Sequence, residues 1–421
     1  MISRAMLVAM LAAAAAACGG EAAPRLTFSG SALGAEGAVI RRQLDRFAEA
    51  HPGVRVELRV TPDAADQRHQ LYVQWLNARA AEPDVLQLDI IWTAEFAAAG
   101  WIRPIALTAA DAGDFFPAAL DANRWQGTSY AVPWFVDAGL LYWRTDLLDA
   151  APATLAELRA DALRTVRAGD TRDGLVWQGA RYEGLVTVFL EHLTAFGGAI
   201  LDEAGGVIVD EPPAVRALTF MRDAVHADGI VPAAALSWQE EQVRFAFQNG
   251  QSTFMRNWPY AWALLEDPTQ SRVAGHVGVA PFPPAPGGRA AAALGGAQLA
   301  INRYTEEPEL AEALVRFLTA PDQMIERALT ASQLPARRSL YDTPALAGAL
   351  SIPLADVRGA LEAAVPRPIT PVYSELSELL QVRLHRALTN QQEPAAALRD
   401  AALDMRALLE RAGLGGVERA R

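Results

Sequence analysis

Residues 26–60, LTFSGSALGAEGAVIRRQLDRFAEAHPGVRVELRV, decide the fold. Apolar side chains fill segment 26–29, recur at helical spacing over 38–50, and alternate with polar ones over 54–60. A His-Pro-Gly sequence at 51–53 ends the helical spacing. The stretch therefore predicts a strand, a helix and a second strand, which together form the β-α-β unit of α/β proteins.

A second unit of the same kind follows directly. Its pattern predicts a helix over 67–80, a buried strand over 85–91 and a short helix over 93–99. Strands and helices that alternate in this way form doubly wound parallel sheets, in which ligands bind beyond the carboxyl ends of the strands. Here those ends correspond to the turns that carry Glu36 and Asp89.

Length and composition limit the classes of function. At 421 residues the chain is two to three times the ~150 residues of an average domain, so two lobes are expected. All 37 basic residues are arginine, which excludes a phosphate-loop lysine and a Schiff-base lysine. The net charge of -12 argues against nucleic acid as a partner. The glycines of the first unit lack GxGxxG spacing, so no dinucleotide cofactor is predicted.

The first eighteen residues have the pattern of an export signal. Arg4 precedes an apolar run over 5–17, and Cys18, the single cysteine, follows three alanines. This arrangement resembles a bacterial lipobox, except that Ala15 stands where leucine is usual. We expect residues 1–17 to be a signal peptide and a lipid on Cys18 to anchor the exported protein, in the periplasm or at the cell surface. The alternative is a plain signal peptide cleaved nearby.

A long extended run over 130–143, YAVPWFVDAGLLYW, contains one carboxylate, Asp137, among apolar neighbours. Burying an unpaired carboxylate is costly, so we expect Asp137 to bind a ligand. The composition changes near residues 135, 281 and 335. We expect the chain to cross between two α/β lobes at these three points.

Six motifs resemble those of the extracellular solute-binding proteins of ABC sugar importers, family 1, and within it the trehalose- and maltose-binding lipoproteins. They follow the family's order and span nearly the whole mature chain. The motifs are DVLQLDIIWTAEFAAAGWIRPI (84–105), YAVPWFVDAGLLYWRTDLL (130–148), WQGARYEGLVTVFLEHLTAFGG (177–198), FQNGQSTFMRNWPYAW (247–262), LGGAQLAI (294–301) and SQLPARRSLY (332–341).

The resemblance implies a periplasmic-binding-protein-like α/β fold, with two doubly wound lobes joined by a three-segment hinge. We expect lobe 1 to comprise 25–136 plus 282–332, and lobe 2 to comprise 137–281 plus 333–421. The family's function implies that the lobes close on a sugar, without a cofactor or metal. The protein, expected to be a monomer, would then deliver the sugar to the permease subunits of an ABC transporter.

Sugars present hydroxyl groups and a weakly apolar ring face, so carboxylates, arginine and aromatic rings are expected around them. The resemblance assigns such roles to Glu36 and Asp89 as acceptors, to Trp258 as a stacking ring, and to Arg337 as a donor. Three of these residues also have a structural alternative. Glu36 could be a helix-terminal charge, Asp89 a turn residue and Trp258 part of the core.

Further candidates flank these positions. Tyr182 and Glu183 are expected to line the cleft from the second lobe, or else to start a helix. Trp92 is expected to add a ring face, or else to pack in the core. Arg338 competes with its neighbour for the role of the cleft arginine.

Gly296 and Ala297 complete the predicted site and mark a departure from the family. Its members typically have an aromatic residue where this chain has Ala297, and a missing ring removes a stacking face and opens space. We therefore expect a different disaccharide, a longer glucoside, or a phosphorylated or glycerol-linked relative. Arg181 and Arg256 leave an anionic ligand open. The enzymatic alternative is an exported glycosidase that uses a pair of carboxylates, but we expect binding without catalysis.

Overall fold

The computed structural model describes residues 23–32, 35–347 and 352–414. The predicted signal peptide and the predicted lipid site at Cys18 lie outside these ranges. In the part of the chain that is described, no helix is long and apolar enough to cross a membrane.

The strands, in chain order, are β1 (Arg25–Gly30), β2 (Arg55–Val60), β3 (Val85–Asp89), β4 (Arg124–Trp125), β5 (Thr128–Ser129), β6 (Ala131–Ala138), β7 (Leu140–Arg144), β8 (Asp173–Val176), β9 (Ser252–Asn257), β10 (Val277–Ala280), β11 (Ala292–Ile301), β12 (Leu334–Pro335) and β13 (Ala364–Val365).

The helices are α1 (Glu36–Ala50), α2 (Ala65–Asn77), α3 (Thr93–Ala98), α4 (Ala109–Asp114), α5 (Pro117–Asp121), α6 (Leu155–Ala168), α7 (Glu183–Ala195), α8 (Pro212–His226), α9 (Glu240–Gln248), α10 (Ala261–Leu265), α11 (Pro308–Leu318), α12 (Pro321–Ala331), α13 (Pro344–Ala347), α14 (Leu354–Glu362), α15 (Tyr373–Leu388) and α16 (Pro394–Arg411), with 3-10 helices at Ala233–Ser237 and Arg338–Asp342.

Both predicted β-α-β units are confirmed. The helix predicted over 38–50 is α1, and the strand predicted over 54–60 is β2, which pairs in parallel with β1. Val39, Leu44 and Phe47 of α1 are buried, because helical spacing places them on one face. Packing of such an apolar face, rather than helix propensity, supplies most of a helix's stability in a folded protein.

Two main sheets form the framework. Sheet 1 has the order β12-β6-β11-β3-β1-β2, with β13 beside β11, and sheet 2 has the order β10-β7-β9-β8. Strand β1 is parallel to β2 and β3, but β11 is antiparallel to β3 and β6. Sheet 1 is therefore mixed, with parallel pairing in its β-α-β units and antiparallel pairing of β11 with its neighbours. Strands β6 and β11 adjoin the connections to sheet 2, so they do not belong to the repeating β-α-β units that make neighbouring strands parallel.

The predicted extended run over 130–143 is two strands, β6 and β7, which belong to different sheets. Gly139 alone separates them. A Cβ atom at Gly139 would lie 1.8 Å from Oε1 of Glu191, so the close approach at this crossing requires glycine. A second crossing lies between β10 and β11.

The chain does not leave sheet 1 at residue 333, because β12 pairs with β6 there. It joins the second apolar core with α15 and α16, through side chains such as Leu380 and Leu398. This core also contains Phe189 of α7 and packs on one face of sheet 2, whereas Phe28 and Trp134 belong to the cluster that forms the core of sheet 1 and covers the other face of sheet 2.

Candidate ligand-binding site

A cavity with about 920 Å³ of empty space, open solvent included, lies beyond the carboxyl ends of β1 and β3. One side is formed by the residues after β1 and at the end of β3, and the other by α7, α9 and the segment after β9. Its side chains are acidic, basic and aromatic. They include the carboxylates of Glu36, Asp63, Asp89, Asp137, Glu183 and Glu240, the guanidinium groups of Arg68 and Arg367, and the rings of Phe135, Tyr182, Trp258 and Tyr260.

Asp89 ends β3 and borders the cavity. Its Oδ1 accepts hydrogen bonds from the backbone N–H of Ile91 at 3.3 Å and from Nη2 of Arg367 at 3.1 Å. Arg367 also donates through Nη1 to Oε1 of Glu183 at 2.8 Å. One buried guanidinium thus joins the end of a strand in sheet 1 to the first residue of α7.

Glu36 is the first residue of α1 and is buried. Its Oε2 accepts a hydrogen bond from Oγ of Ser31 at 2.7 Å, and its Oε1 accepts from Nε2 of Gln87 and Nη2 of Arg327, both at 3.2 Å. The guanidinium of Arg327 in turn lies 3.6 Å from the ring centroid of Trp134. Since each carboxylate oxygen has two lone pairs, Glu36 retains capacity to accept from a ligand.

Asp137 lies in β6, opposite Gly295 of β11, and its side chain is only partly exposed. Burial and the negative charges of Glu36 and Asp89 raise the pKa of Asp137 to about 7, against the opposing effect of nearby arginines. Among the described residues, its carboxylate has no hydrogen-bond donor within bonding distance. Asp137 is therefore a partly desolvated acceptor that a ligand hydroxyl could satisfy.

Tyr182 and Glu183 do start a helix, α7, and they also line the cavity. The hydroxyl of Tyr373 donates to Oε1 of Glu183 at 2.7 Å, and the hydroxyl of Ser377 donates to its Oε2. Burial raises the pKa of Glu183, although these donors and Arg367 oppose the rise. Tyr182 and Glu183 therefore begin the helix and also line the cavity, so the two alternatives predicted from the sequence are both realised.

The ring of Trp258 follows β9 and borders the cavity. The guanidinium carbon of Arg256 lies 4.0 Å from its ring centroid. A Cβ atom at Gly295 would lie 2.8 Å from its Cζ3. The ring therefore contacts an arginine and the backbone of β11, and it is partly exposed where it lines the cavity.

Gly296 and Ala297 lie in β11 and line the cavity. Gly296 has φ 118°, and a Cβ atom there would lie 2.3 Å from the carbonyl oxygen of Phe135, so this position requires glycine. Ala297 is opposite Asp89 on one side and Phe135 on the other.

Arg337 does not reach the cavity, and we correct its assignment to the site. Its Nη2 donates to Asp111 at 3.0 Å, its Nη1 to Asp114 at 3.4 Å, and its guanidinium lies 4.6 Å from the ring of Phe115. The competing Arg338 donates to the carbonyl of Gly113, also outside the cavity. The reason is that β12 ends at residue 335 and the following chain packs against α4.

Trp92 is also outside the cavity lining. It is 2% exposed and stacks on Phe96 with ring planes 13° apart, so the core alternative holds. Arg256 is buried in an ion pair with Glu191 and does not line the cavity. Arg181 borders a separate groove.

Two arginines that line the cavity, Arg367 and Arg68, were not predicted from the sequence. Arg367 lies between two prolines in an extended segment, where no periodicity indicates which way it points. Arg68 lies in α2, and its Nη1 donates to the carbonyls of Pro62 and Asp63 at 3.1 and 3.3 Å. The only sequence feature that could have indicated Arg367 is its position as an isolated arginine in a proline-rich stretch. No sequence feature indicated Arg68.

Contacts beside the cavity join α2 and α3 to α15. Nε2 of His69 lies 2.9 Å from both carboxylate oxygens of Glu95, and the hydroxyl of Ser374 donates to Glu95 at 2.6 Å. Asp66 accepts a hydrogen bond from Gln381 at 3.2 Å. The two sides of the cavity are therefore in contact. In the described ranges, no group of three or more His, Cys, Asp or Glu side chains could hold a metal ion.

Comparisons with known proteins agree with this geometry. Residues 31–325 match the family model described as bacterial extracellular solute-binding protein. A probable ABC transporter-binding protein of Deinococcus radiodurans is 36% identical over 403 residues, which cover 92% of this chain and 94% of that protein.

Solved structures of solute-binding proteins are similar to this chain over most of its length. The maltose-bound MalE3 of T. maritima has 42% identity and a TM-score of 0.87, with 92% of this chain and 100% of that chain covered. The GacH receptor of Streptomyces glaucescens, solved unliganded and with acarbose, has 26% identity and a TM-score of 0.83, with 93% and 99% covered. With a family model over most of its length and a relative of this identity, the chain belongs to the bacterial extracellular solute-binding proteins.

Proposed function

We propose that this protein is the substrate-binding component of an ABC importer and captures a neutral disaccharide or related glucoside of the maltose or trehalose type. The observation that carries the proposal is the cavity itself, which combines carboxylates with aromatic rings. Carboxylates accept hydrogen bonds from sugar hydroxyls, and rings stack on the apolar face of the pyranose.

Charge supports a neutral ligand over a phosphorylated one. The lining has six carboxylates against two arginines, Arg68 and Arg367, and the second of these is already paired with Asp89 and Glu183. A phosphate would enter a region of negative potential without a free cluster of cations. The 42% identity to a maltose-bound protein supports the same ligand class.

The proposed mechanism is closure of two lobes around the ligand. We retain the division into 25–136 plus 282–332 and 137–281 plus 333–421, with the qualification that β12 pairs within sheet 1. Glu36 and Asp89 would contact the sugar from lobe 1, and Trp258, Tyr182 and Glu183 from lobe 2. Ligand contacts that exist only in the closed state shift the population toward closure.

The proposal also covers how the protein delivers its ligand and where it is located. The closed protein would dock as a monomer on the permease subunits of the transporter. A signal peptide over 1–17 and a lipid on Cys18 would hold it at the outer side of the membrane. The family description as extracellular supports export.

A thermal-shift screen of the mature protein tests the ligand class. Maltose, trehalose, sucrose, longer glucosides, mannitol and sugar phosphates would be compared, because a ligand that binds only the folded state raises the melting temperature. We expect a shift with one neutral glucoside and none with its phosphate. A shift with sugar phosphates alone would overturn the neutral class, and release of free monosaccharide from the bound glucoside would favour the glycosidase.

A further inference from the structure

A fully buried ion pair, Glu191 with Arg256, lies behind the cavity. The exposed fractions of the two side chains are 0% and 1%. Nη2 of Arg256 donates to Oε1 of Glu191 at 2.6 Å, and Nε donates to Oε2 at 2.9 Å. Burying two charges in this way is costly, and apolar replacements of such pairs are often as stable. Stability alone therefore does not explain the pair, and its role lies in the groups that it holds.

On one side the pair contacts the two crossings between the sheets. Oε1 of Glu191 accepts a hydrogen bond from the backbone N–H of Ala293 at 3.0 Å. The N–H of Gly139 donates to the carbonyl of Ala293 at 3.1 Å. A Cβ atom at Gly139 would lie 2.4 Å from Nη2 of Arg256. The pair thus packs against the chain where β6 passes to β7 and where β11 begins.

On the other side the pair supports the aromatic ring of the cavity. The guanidinium of Arg256 lies 4.0 Å from the ring centroid of Trp258, within the range of a cation–π contact. The backbone of Trp258 is held as well, since its carbonyl accepts a hydrogen bond from the hydroxyl of Tyr142 at 2.8 Å. The Trp258 side chain is also hydrogen-bonded to Glu240. With the backbone held, the contact with the buried guanidinium restricts the rotation of the ring from its core side.

We propose that Glu191 and Arg256 are positioning residues: they hold the Trp258 ring in the plane that stacks on the ligand and couple that plane to the hinge crossings. The proposal deepens the proposed function, because it rests on a sugar that stacks on Trp258. Glu191 fixes the orientation of Arg256, and Arg256 restricts the rotation of the ring. Lysine cannot replace Arg256 in this role, since an ammonium group has no plane to stack.

The experiment uses the mature protein labelled with 5-fluorotryptophan. The test variant is Glu191→Gln/Arg256→Met, which removes both charges together, and Arg256→Lys is the second variant. Trp258→Phe assigns the Trp258 resonance in fluorine NMR. The matched control is Arg358→Met/Glu362→Gln, an exposed ion pair with side-chain exposures of 66% and 72%.

In the ligand-free test variant we expect the Trp258 resonance to shift or broaden, while the other tryptophan resonances stay in place. Arg256→Lys should do the same if the double variant does not fold. We also expect the Kd for the sugar found in the screen to rise about tenfold, the scale of one lost aromatic stacking contact with the ligand. In a Trp258→Phe background, the same replacement should raise the Kd by less than about twofold.

An unchanged Trp258 resonance in both variants would overturn the positioning role. A Kd increase of equal size in the Trp258→Phe background would also overturn it, since the pair would then act on binding without the ring. If wild type binds no sugar, the proposed function fails, and the fluorine spectra of the free protein still decide the positioning role.

Discussion

Replacing Asp137 by asparagine should remove a pH dependence from the stability of the ligand-free protein. The pKa of Asp137 rises from 3.8 to about 7 on folding, because the side chain is buried near Glu36 and Asp89. Between these two values the folded state holds a proton that the unfolded state has lost. The free energy of unfolding must therefore fall as pH rises through this window, and the stabilising contribution is complete only below pH 4.

The size of the effect follows from the pKa difference. A rise from 3.8 to about 7 corresponds to about 4 kcal/mol at 1.36 kcal/mol per pKa unit. Partial exposure of the carboxylate makes this an upper value, so we expect on the order of 2–4 kcal/mol. Asparagine has nearly the shape of the protonated acid and does not ionise. The stability of Asp137→Asn should thus equal that of wild type near pH 4 and exceed it by this amount near pH 8.

Urea unfolding at a series of pH values from 4 to 8 measures the difference. The exposed Asp149→Asn variant is the matched control and should follow wild type throughout. Parallel curves for wild type and Asp137→Asn would refute the reasoning. They would mean that water or local movement solvates the carboxylate in the folded protein.

Three further predictions concern the cavity and the anchor. Asp89→Ala should weaken sugar binding by about 1–3 kcal/mol in calorimetry, since hydrogen bonds to a charged acceptor are lost. Gly295→Ala should weaken it about tenfold or more, because the new Cβ atom would lie 2.8 Å from Cζ3 of Trp258 and displace the ring. Cys18→Ser should move the protein from the membrane fraction to the soluble fraction.

The two cavity predictions each have a matched control. Arg337→Ala should leave affinity unchanged, because Arg337 pairs with residues outside the cavity. Gly359→Ala should do the same, as nothing beyond the adjoining backbone of its own helix lies within 4 Å of a Cβ atom built there. Unchanged affinity in Asp89→Ala or Gly295→Ala would remove that residue from the site. Membrane retention of Cys18→Ser would contradict lipidation.

Much of the fold could be predicted from local pattern. The helix predicted over 67–80 is α2, and the strand predicted over 85–91 is β3, because apolar spacing reports which face of an element packs. Asp137 could also be identified as a candidate site residue, because burying a single carboxylate in an apolar run is costly unless a partner or ligand binds it. Pairing direction could not be predicted, and the mixed order of sheet 1 came from the antiparallel strands β6 and β11.

The sequence by itself determined the α/β class, the strand ends where acids cluster, and the family resemblance. Only the tertiary structure decided which charges meet. Arg337 matched a motif yet pairs with Asp111, whereas Arg367 carried no motif and joins Asp89 to Glu183. Local spacing fixes which face a side chain occupies, but the Arg367–Asp89 contact spans 278 residues, and such a partner is set by how the two sheets are brought together.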